Sequence, residues 1–91
     1  MDNINLINEA VNLFFKRNPS LDIALTKDLI PLCIEVGLFS KEDANEAWPL
    51  RRILDELDSE GTIKKIPAVK PVRKDRSTYW FFVRNINEAI V

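Results

Sequence analysis

The chain has 91 residues, of which 46% are hydrophobic and 30% are charged, and its formal net charge is −1. These values are typical of one soluble globular domain and leave little room for a second. The chain has no histidine, one cysteine and two glycines. The commonest general base and metal ligand is therefore missing, and a conventional zinc finger and a glycine-rich phosphate loop are both excluded. We expect no enzymatic activity, no cofactor and no metal site.

The charge is distributed unevenly along the chain. Residues 1–50 carry an excess of four acids, whereas residues 51–91 carry an excess of three bases. Between residues 61 and 76, six lysines and arginines stand against one acid, Asp75. Because salt screens distant charges, such a basic segment can bind phosphate even on a nearly neutral chain. With one cysteine, Cys33, and no apolar run that could span a bilayer, we expect a cytoplasmic protein with no membrane partner.

The first predicted element is a helix over residues 3–17. Ile4, Ile7, Val11 and Phe14 recur at steps of three and four residues, which places them on one helical face. Pro19 then ends the helix, because a residue before proline is disfavoured in helical conformation. Residues 21–25 follow a turn and are compatible with a short extended segment.

A second helix is predicted over residues 28–36. Asp28 is suited to cap its start, which would put Pro31 in the first turn, where a missing N–H costs nothing. Gly37 is suited to the left-handed conformation that closes many helices.

The start of the third helix has two interpretations. Residues 40–43 have the pattern of a capping box, which favours one helix over 41–59 kinked at Pro49. Alternatively, a short helix follows the capping box, and a separate helix begins at Pro49. We favour the break, because proline suits a first helical position and costs about 3 kcal/mol in an interior one.

Beyond Gly61 the pattern changes to strand. Residues 62–69 are rich in β-branched side chains and contain Pro67, which favours an edge strand. Residues 70–77 are basic and polar and are predicted to form a loop. Thr78–Val83 has strong strand propensity and apolar side chains on both faces. Residues 85–91 are expected to form a tail.

The second half of the chain resembles the winged helix-turn-helix family. Leu50, Ile53, Leu54 and Leu57 look like the end of a recognition helix, and Gly61 and Ile63 look like its stop and the first wing strand. Residues 49–52 and 79–82 also resemble small uncharacterised bacterial winged-helix proteins. The resemblance implies an α+β fold, with a three-helix core and a C-terminal two-stranded β-hairpin wing. The whole chain, 1–91, would be one domain with its core at about 3–84.

The resemblance also implies duplex DNA binding, as in a small transcriptional regulator or a mobile-element accessory protein. The third helix would enter the major groove and the wing would contact phosphates. The implied contact residues are all basic: Arg51, Arg52, Lys64, Lys65, Lys70, Arg73, Lys74 and Arg76. The spacing of Arg51 and Arg52 from Asp55 and Glu56 equally permits surface ion pairs along the helix.

An alternative function is a protein-interaction or assembly module on the same fold, without DNA binding. Glu42, Asp43 and Glu46 make the approach to the third helix acidic, which would repel phosphate. In this interpretation, the exposed side of Trp80 and Phe82 contacts a protein partner or a second copy in a homodimer.

Overall fold

Three α-helices and a three-stranded antiparallel sheet form the part of the chain that this computed structural model describes, namely residues 3–42, 48–76 and 78–84, with only the backbone at 48. The predicted α+β class is confirmed. No helix in these ranges is long and apolar enough to cross a membrane. The elements in chain order are α1 (Asn3–Arg17), β1 (Ile23–Leu25), α2 (Thr26–Glu35), α3 (Trp48–Glu60), a 3-10 helix (Ile63–Lys65), β2 (Val69–Arg73) and β3 (Thr78–Val83).

Helix α1 has the predicted bounds and buries the predicted face. Ile7, Val11 and Phe14 belong to the hydrophobic core. The side chain of Asn18 donates to the Phe14 carbonyl at 2.8 Å, which satisfies a carbonyl in the last turn. Helix α1 therefore presents one apolar stripe to the core and ends where its sequence predicts.

Helix α2 begins two residues earlier than predicted, directly after β1. Asp28 is not the capping residue itself. It is the third residue of the helix, and its carboxylate accepts a hydrogen bond from the Leu25 N–H at 3.0 Å. Pro31 consequently lies in the second turn rather than the first, so the expectation that it costs no hydrogen bond is wrong.

Glycine closes α2 and α3 in the same way. Gly37 and Gly61 both have positive φ, at 90° and 77°, a region that residues with a Cβ rarely adopt. After α2, Leu38 N donates to the Cys33 carbonyl at 2.8 Å, and after α3, Thr62 N donates to the Leu57 carbonyl at 2.9 Å. These are the hydrogen bonds of a Schellman motif, which satisfies the last carbonyls of a helix.

Helix α3 is described over Trp48–Glu60, and Pro49 is the second of these residues. Lys41 and Glu42 lie in a turn, which excludes one continuous helix beginning at Lys41. Asp43 and Glu46 lie outside the described residues, as does the predicted tail at 85–91. The structure thus excludes the helix over 41–59 as predicted, whereas the short separate helix of the other interpretation would fall in residues 43–47, outside the described residues.

The sheet differs from the predicted two-stranded hairpin, because β1 adds a third strand. Its order is β1-β3-β2, with β3 in the centre and both neighbours antiparallel to it. Phe82 pairs with Ala24 on one side and with Val69 on the other. Residues 21–25, predicted only as a short extended segment, therefore supply an edge strand.

The predicted strand at 62–69 is wrong, whereas Thr78–Val83 has the predicted bounds. Residues 63–65 form a 3-10 helix, and β2 begins only at Val69. A turn of three residues places Ile63 and Ile66 on the same side, where both pack on the core. Pro67 has no N–H to donate to a neighbouring strand, and the β-branched residues before it form a turn instead of a strand.

The inner face of the sheet packs on the helices and completes the core. Ala24, Trp80 and Phe82 project inwards, and the last two are 5% and 0% exposed. The expectation that Trp80 and Phe82 offer an exposed contact surface is therefore wrong. The alternation of β3 instead leaves Tyr79 on the outer face, where it is 50% exposed.

Candidate nucleic-acid interface

The most basic part of the structure is the hairpin, by which we mean β2, β3 and the tip residues between them. Lys74 and Arg76 lie at the tip, and both are exposed to solvent. Lys70 and Arg73 were predicted in the loop but belong to β2. The correction shortens the tip and fixes the position of these two side chains, because each follows the pleat of a paired strand.

A surface groove brings some of the predicted cations together. Lys64, Lys70 and Arg73 line it, together with Trp80 and apolar residues of the 3-10 helix and β2. Lys64 reaches the groove from the 3-10 helix and not from a strand, and Lys65 lies on the same 3-10 helix but does not line the groove. The Lys65 carbonyl accepts a hydrogen bond from the Asn8 side chain at 3.2 Å, which ties the 3-10 helix to α1.

A row of polar contacts joins α3 to the hairpin, and we call it the seam. Three α3 residues spaced at four and three positions contribute to it, so they lie on one flank of the helix. Each faces a different hairpin residue: Arg51 lies 5.7 Å from the Tyr79 ring, Asp55 accepts from the Trp80 indole at 2.8 Å, and Asp58 pairs with Arg73 at 3.1 Å.

The Arg73–Asp58 contact is bidentate. Its second hydrogen bond is 3.3 Å long, and Arg73 also donates to the Thr78 hydroxyl at 3.4 Å. The Asp58 carboxylate raises the pKa of Arg73 still further above its ordinary value, chiefly through this hydrogen bond. Arg73 therefore has a structural partner, and its charge is already balanced by Asp58 within the domain.

The outward face of α3 is acidic. Arg52 donates to Glu56 at 3.3 Å, and the two lie beside Asp55, Ser59 and Glu60 along a shallow depression. The predicted i,i+4 ion pair thus exists for Arg52, whereas Asp55 is bonded to Trp80. An acidic surface of this kind repels phosphate, and the exposed pair with Glu56 reduces the charge that Arg52 presents to a ligand.

The described cations divide into paired and unpaired groups. Arg17, Arg52, Arg73 and Arg84 each lie within 4.0 Å of a carboxylate oxygen. Six of the predicted contact residues have no such ion pair among the described residues: Arg51, Lys64, Lys65, Lys70, Lys74 and Arg76. Arg51 lies against Tyr79, and the other five lie on the 3-10 helix and the hairpin. Lys16, Lys27 and Lys41 also lack an ion pair among the described residues, so this part of the molecule holds five of the nine described cations without one.

Sequence reasoning missed the role of Arg84. Its guanidinium donates to the carbonyls of Phe15, Asn18 and Leu21 and lies 4.9 Å from the Phe15 ring. It also pairs with Asp22 at 3.4 Å. Arg84 therefore fastens the end of β3 to the segment between α1 and β1. Its isolation from the other bases in the sequence is a weak signal that it is structural.

Neither a metal site nor a known relative narrows the function. In the described ranges, no group of three or more cysteine, aspartate and glutamate side chains is placed to hold a metal ion. Comparison with protein-family models, with curated proteins and with solved structures finds no match for the chain.

Proposed function

We propose that this chain is a winged-helix domain that binds duplex DNA through its basic hairpin, mainly by contacts to phosphate. The observation that carries the proposal is the concentration of unpaired, exposed cations on the 3-10 helix and hairpin. Such a domain would act in a small transcriptional regulator or a mobile-element accessory protein, as the resemblance implies.

The order of elements supports the winged-helix part of the proposal. Three helices precede a β-hairpin, and β1 adds a strand between the first two helices. This layout is compatible with a winged helix whose wing is the hairpin. The seam holds the hairpin against α3, so the two elements would approach a duplex as one unit.

The contacts of Arg51 and Arg52, both on α3, favour phosphate binding over recognition of the bases. Arg52 is paired with Glu56, and Arg51 lies against Tyr79. Specific recognition of guanine usually needs an arginine with both terminal nitrogens available in the groove. We therefore expect modest discrimination between DNA sequences.

Fluorescence anisotropy with a labelled duplex tests the proposal. Each phosphate contact on duplex DNA contributes a slope of about −0.9 to the dependence of log K on log salt concentration. If Lys64, Lys70, Lys74 and Arg76 each contact one phosphate, the slope is about −3.6. No binding at about 50 mM salt, or binding without salt dependence, would contradict the proposal.

Removal of the tip charges makes the test specific to the hairpin. The double variant Lys74→Ala/Arg76→Ala should reduce the slope to about −1.8, because two of the four contacts are lost. The single variant Lys16→Ala is the matched control for Lys74→Ala, since Lys16 is also exposed but lies in the last turn of α1. Equal effects of Lys16→Ala and Lys74→Ala would mean that binding is not located on the hairpin.

A second candidate function is a protein-interaction module that does not bind DNA. The acidic outward face of α3, formed by Asp55, Glu56 and Glu60, favours it. Such a face fits a basic protein surface, because complementary potentials steer association. This candidate would be favoured over the first if the protein bound no DNA at any salt concentration but did bind a basic peptide. The variant Glu56→Lys/Glu60→Lys should then abolish binding of the peptide.

A further inference from the structure

The outer face of the sheet carries a contiguous apolar surface. Ile23 and Leu25 of β1, Val72 of β2 and Tyr79 of β3 are each at least 40% exposed, and so is Leu21, just before β1. The strand register joins them, because Leu25 pairs with Phe81 and Val72 pairs with Tyr79. We call this surface the outer sheet face.

The side chains of the outer sheet face stay largely exposed: Arg51 lies 5.7 Å from the Tyr79 ring, yet all five are at least 40% exposed. The three helices pack on the opposite side, where Ala24, Trp80 and Phe82 enter the core. The seam reaches one of the five, Tyr79, through Arg51, and the groove with Lys64 is lined by none of them. Monomeric proteins rarely leave contiguous apolar patches of more than a few hundred Å² exposed unless the patch binds something.

We propose that the outer sheet face binds a second copy of this chain, so that the protein is a dimer with two sheets packed face to face. If a fully exposed large apolar residue offers about 200 Å², the exposed fractions of the five side chains leave about 450–500 Å². A standard interface uses about 800 Å² from each partner, of which about 57–65% is apolar. The face therefore supplies about the apolar area that one side of a standard-size interface needs.

The edges of the sheet favour packing through the face and not through strand addition. Strand β1 has three residues, and β2 carries Pro71 between Lys70 and Arg73. Short strands, proline and lysine are the features that block edge-to-edge pairing. Lys70 is the one charged residue that alternation puts on the outer side of β2, and at an edge its ammonium can reach solvent around a partner.

Light scattering after size-exclusion chromatography tests the dimer. The chain mass is 10.5 kDa, so a dimer has twice the monomer mass. Loaded at about 100 µM, a concentration at which a micromolar Kd leaves most chains paired, the wild type should elute with the dimer mass. Ile23→Glu should give the monomer mass, because a buried charge without a partner opposes association.

Two further variants keep the result interpretable. Asn12→Glu is the charge-matched control, since Asn12 is exposed on α1, far along the chain from the sheet residues. It should remain a dimer. Val72→Glu tests the same face from the other edge strand, and circular dichroism checks that both sheet variants stay folded. Folding is expected to survive because both side chains are exposed.

Each outcome decides the proposal. A monomeric wild type at 100 µM, or a dimer that persists in folded Ile23→Glu and Val72→Glu, overturns it. In the first case the face binds a different partner or none, and in the second another surface forms the dimer. Because no unpaired cation of the hairpin is altered by Ile23→Glu, duplex binding can be measured on that variant separately.

Discussion

The hydrogen bond between Trp80 and Asp55 gives the sharpest test of how α3 and the hairpin are held together. Trp80 is 5% exposed, and its indole N–H donates to the Asp55 carboxylate at 2.8 Å. Asp55→Ala removes the acceptor and leaves a nearly buried donor without this partner. Deleting a charged partner of a buried donor generally costs about 1.5–3 kcal/mol.

The expected loss is at the lower end of that range. Asp55 lies on an exposed helix position, so water can partly replace the carboxylate. We therefore expect Asp55→Ala to lower the free energy of unfolding by about 1–2 kcal/mol. For a domain of this size, about 1 kcal/mol corresponds to about 5 °C in Tm, so the transition should fall by about 5–10 °C.

Urea denaturation followed by far-ultraviolet circular dichroism is the appropriate assay, because a change near Trp80 alters fluorescence directly. Asp55→Asn keeps an oxygen acceptor and should lose less stability. Glu56→Gln is the matched control, since Glu56 is the neighbouring acid and its pair with Arg52 is exposed. Exposed pairs contribute about 0–1 kcal/mol. If Asp55→Ala costs no more than Glu56→Gln, the seam does not stabilise the fold through this bond.

Three further predictions concern the rest of the domain. Arg84→Ala should lower the free energy of unfolding, measured by urea denaturation, by about 2–3 kcal/mol. Arg84→Lys should lose similar stability, because an ammonium cannot reproduce the planar guanidinium fork. The hydrogen bond from Arg17 holds the pKa of Glu35 below its ordinary 4.5, so its stabilisation is present at neutral pH and is lost in acid. The urea midpoints of wild type and Glu35→Gln should therefore differ at pH 7 and converge in acid, as the pH falls through the lowered pKa of Glu35. Burial raises the pKa of Cys33 to about 12, so a thiol reagent at pH 8 should label it only after denaturation; immediate labelling of the folded protein would contradict its burial.

The helices could be predicted because their signals are local. The bounds of α1 follow from the spacing of Ile7, Val11 and Phe14 and from the proline after it. The 3-10 helix could not be predicted in the same way. The β-branched residues at 62–66 favour a strand intrinsically, and only the packing of Ile63 and Ile66 on the core decides for a turn. Tertiary contacts routinely override such propensities.

The sequence predicts which basic residues belong to the candidate site, but not which side chains of the site are paired with a carboxylate. The basic segment is visible in the sequence, yet Asp58 and Arg73 are 15 residues apart, and Asp55 and Trp80 are 25 apart. No local spacing rule connects them. The apolar character of both faces of β3 predicted that one face covers the core and that the other packs on something else or stays exposed, but which face is buried depends on how the sheet meets the helices.

The pairing of Arg73 with Asp58 leads to a prediction that separates a structural role from a binding role. Asp58→Asn removes the charge that balances Arg73 but keeps an oxygen that can accept one hydrogen bond. If the proposed duplex binding is correct, the released guanidinium is available for a further phosphate, and the salt slope should steepen by about 0.9. The variant should also lose less stability than Asp58→Ala, which removes the acceptor altogether. A slope that stays the same while affinity falls would show that Arg73 serves to hold the hairpin on α3, since loss of the seam would then misplace Lys74 and Arg76 without adding a contact.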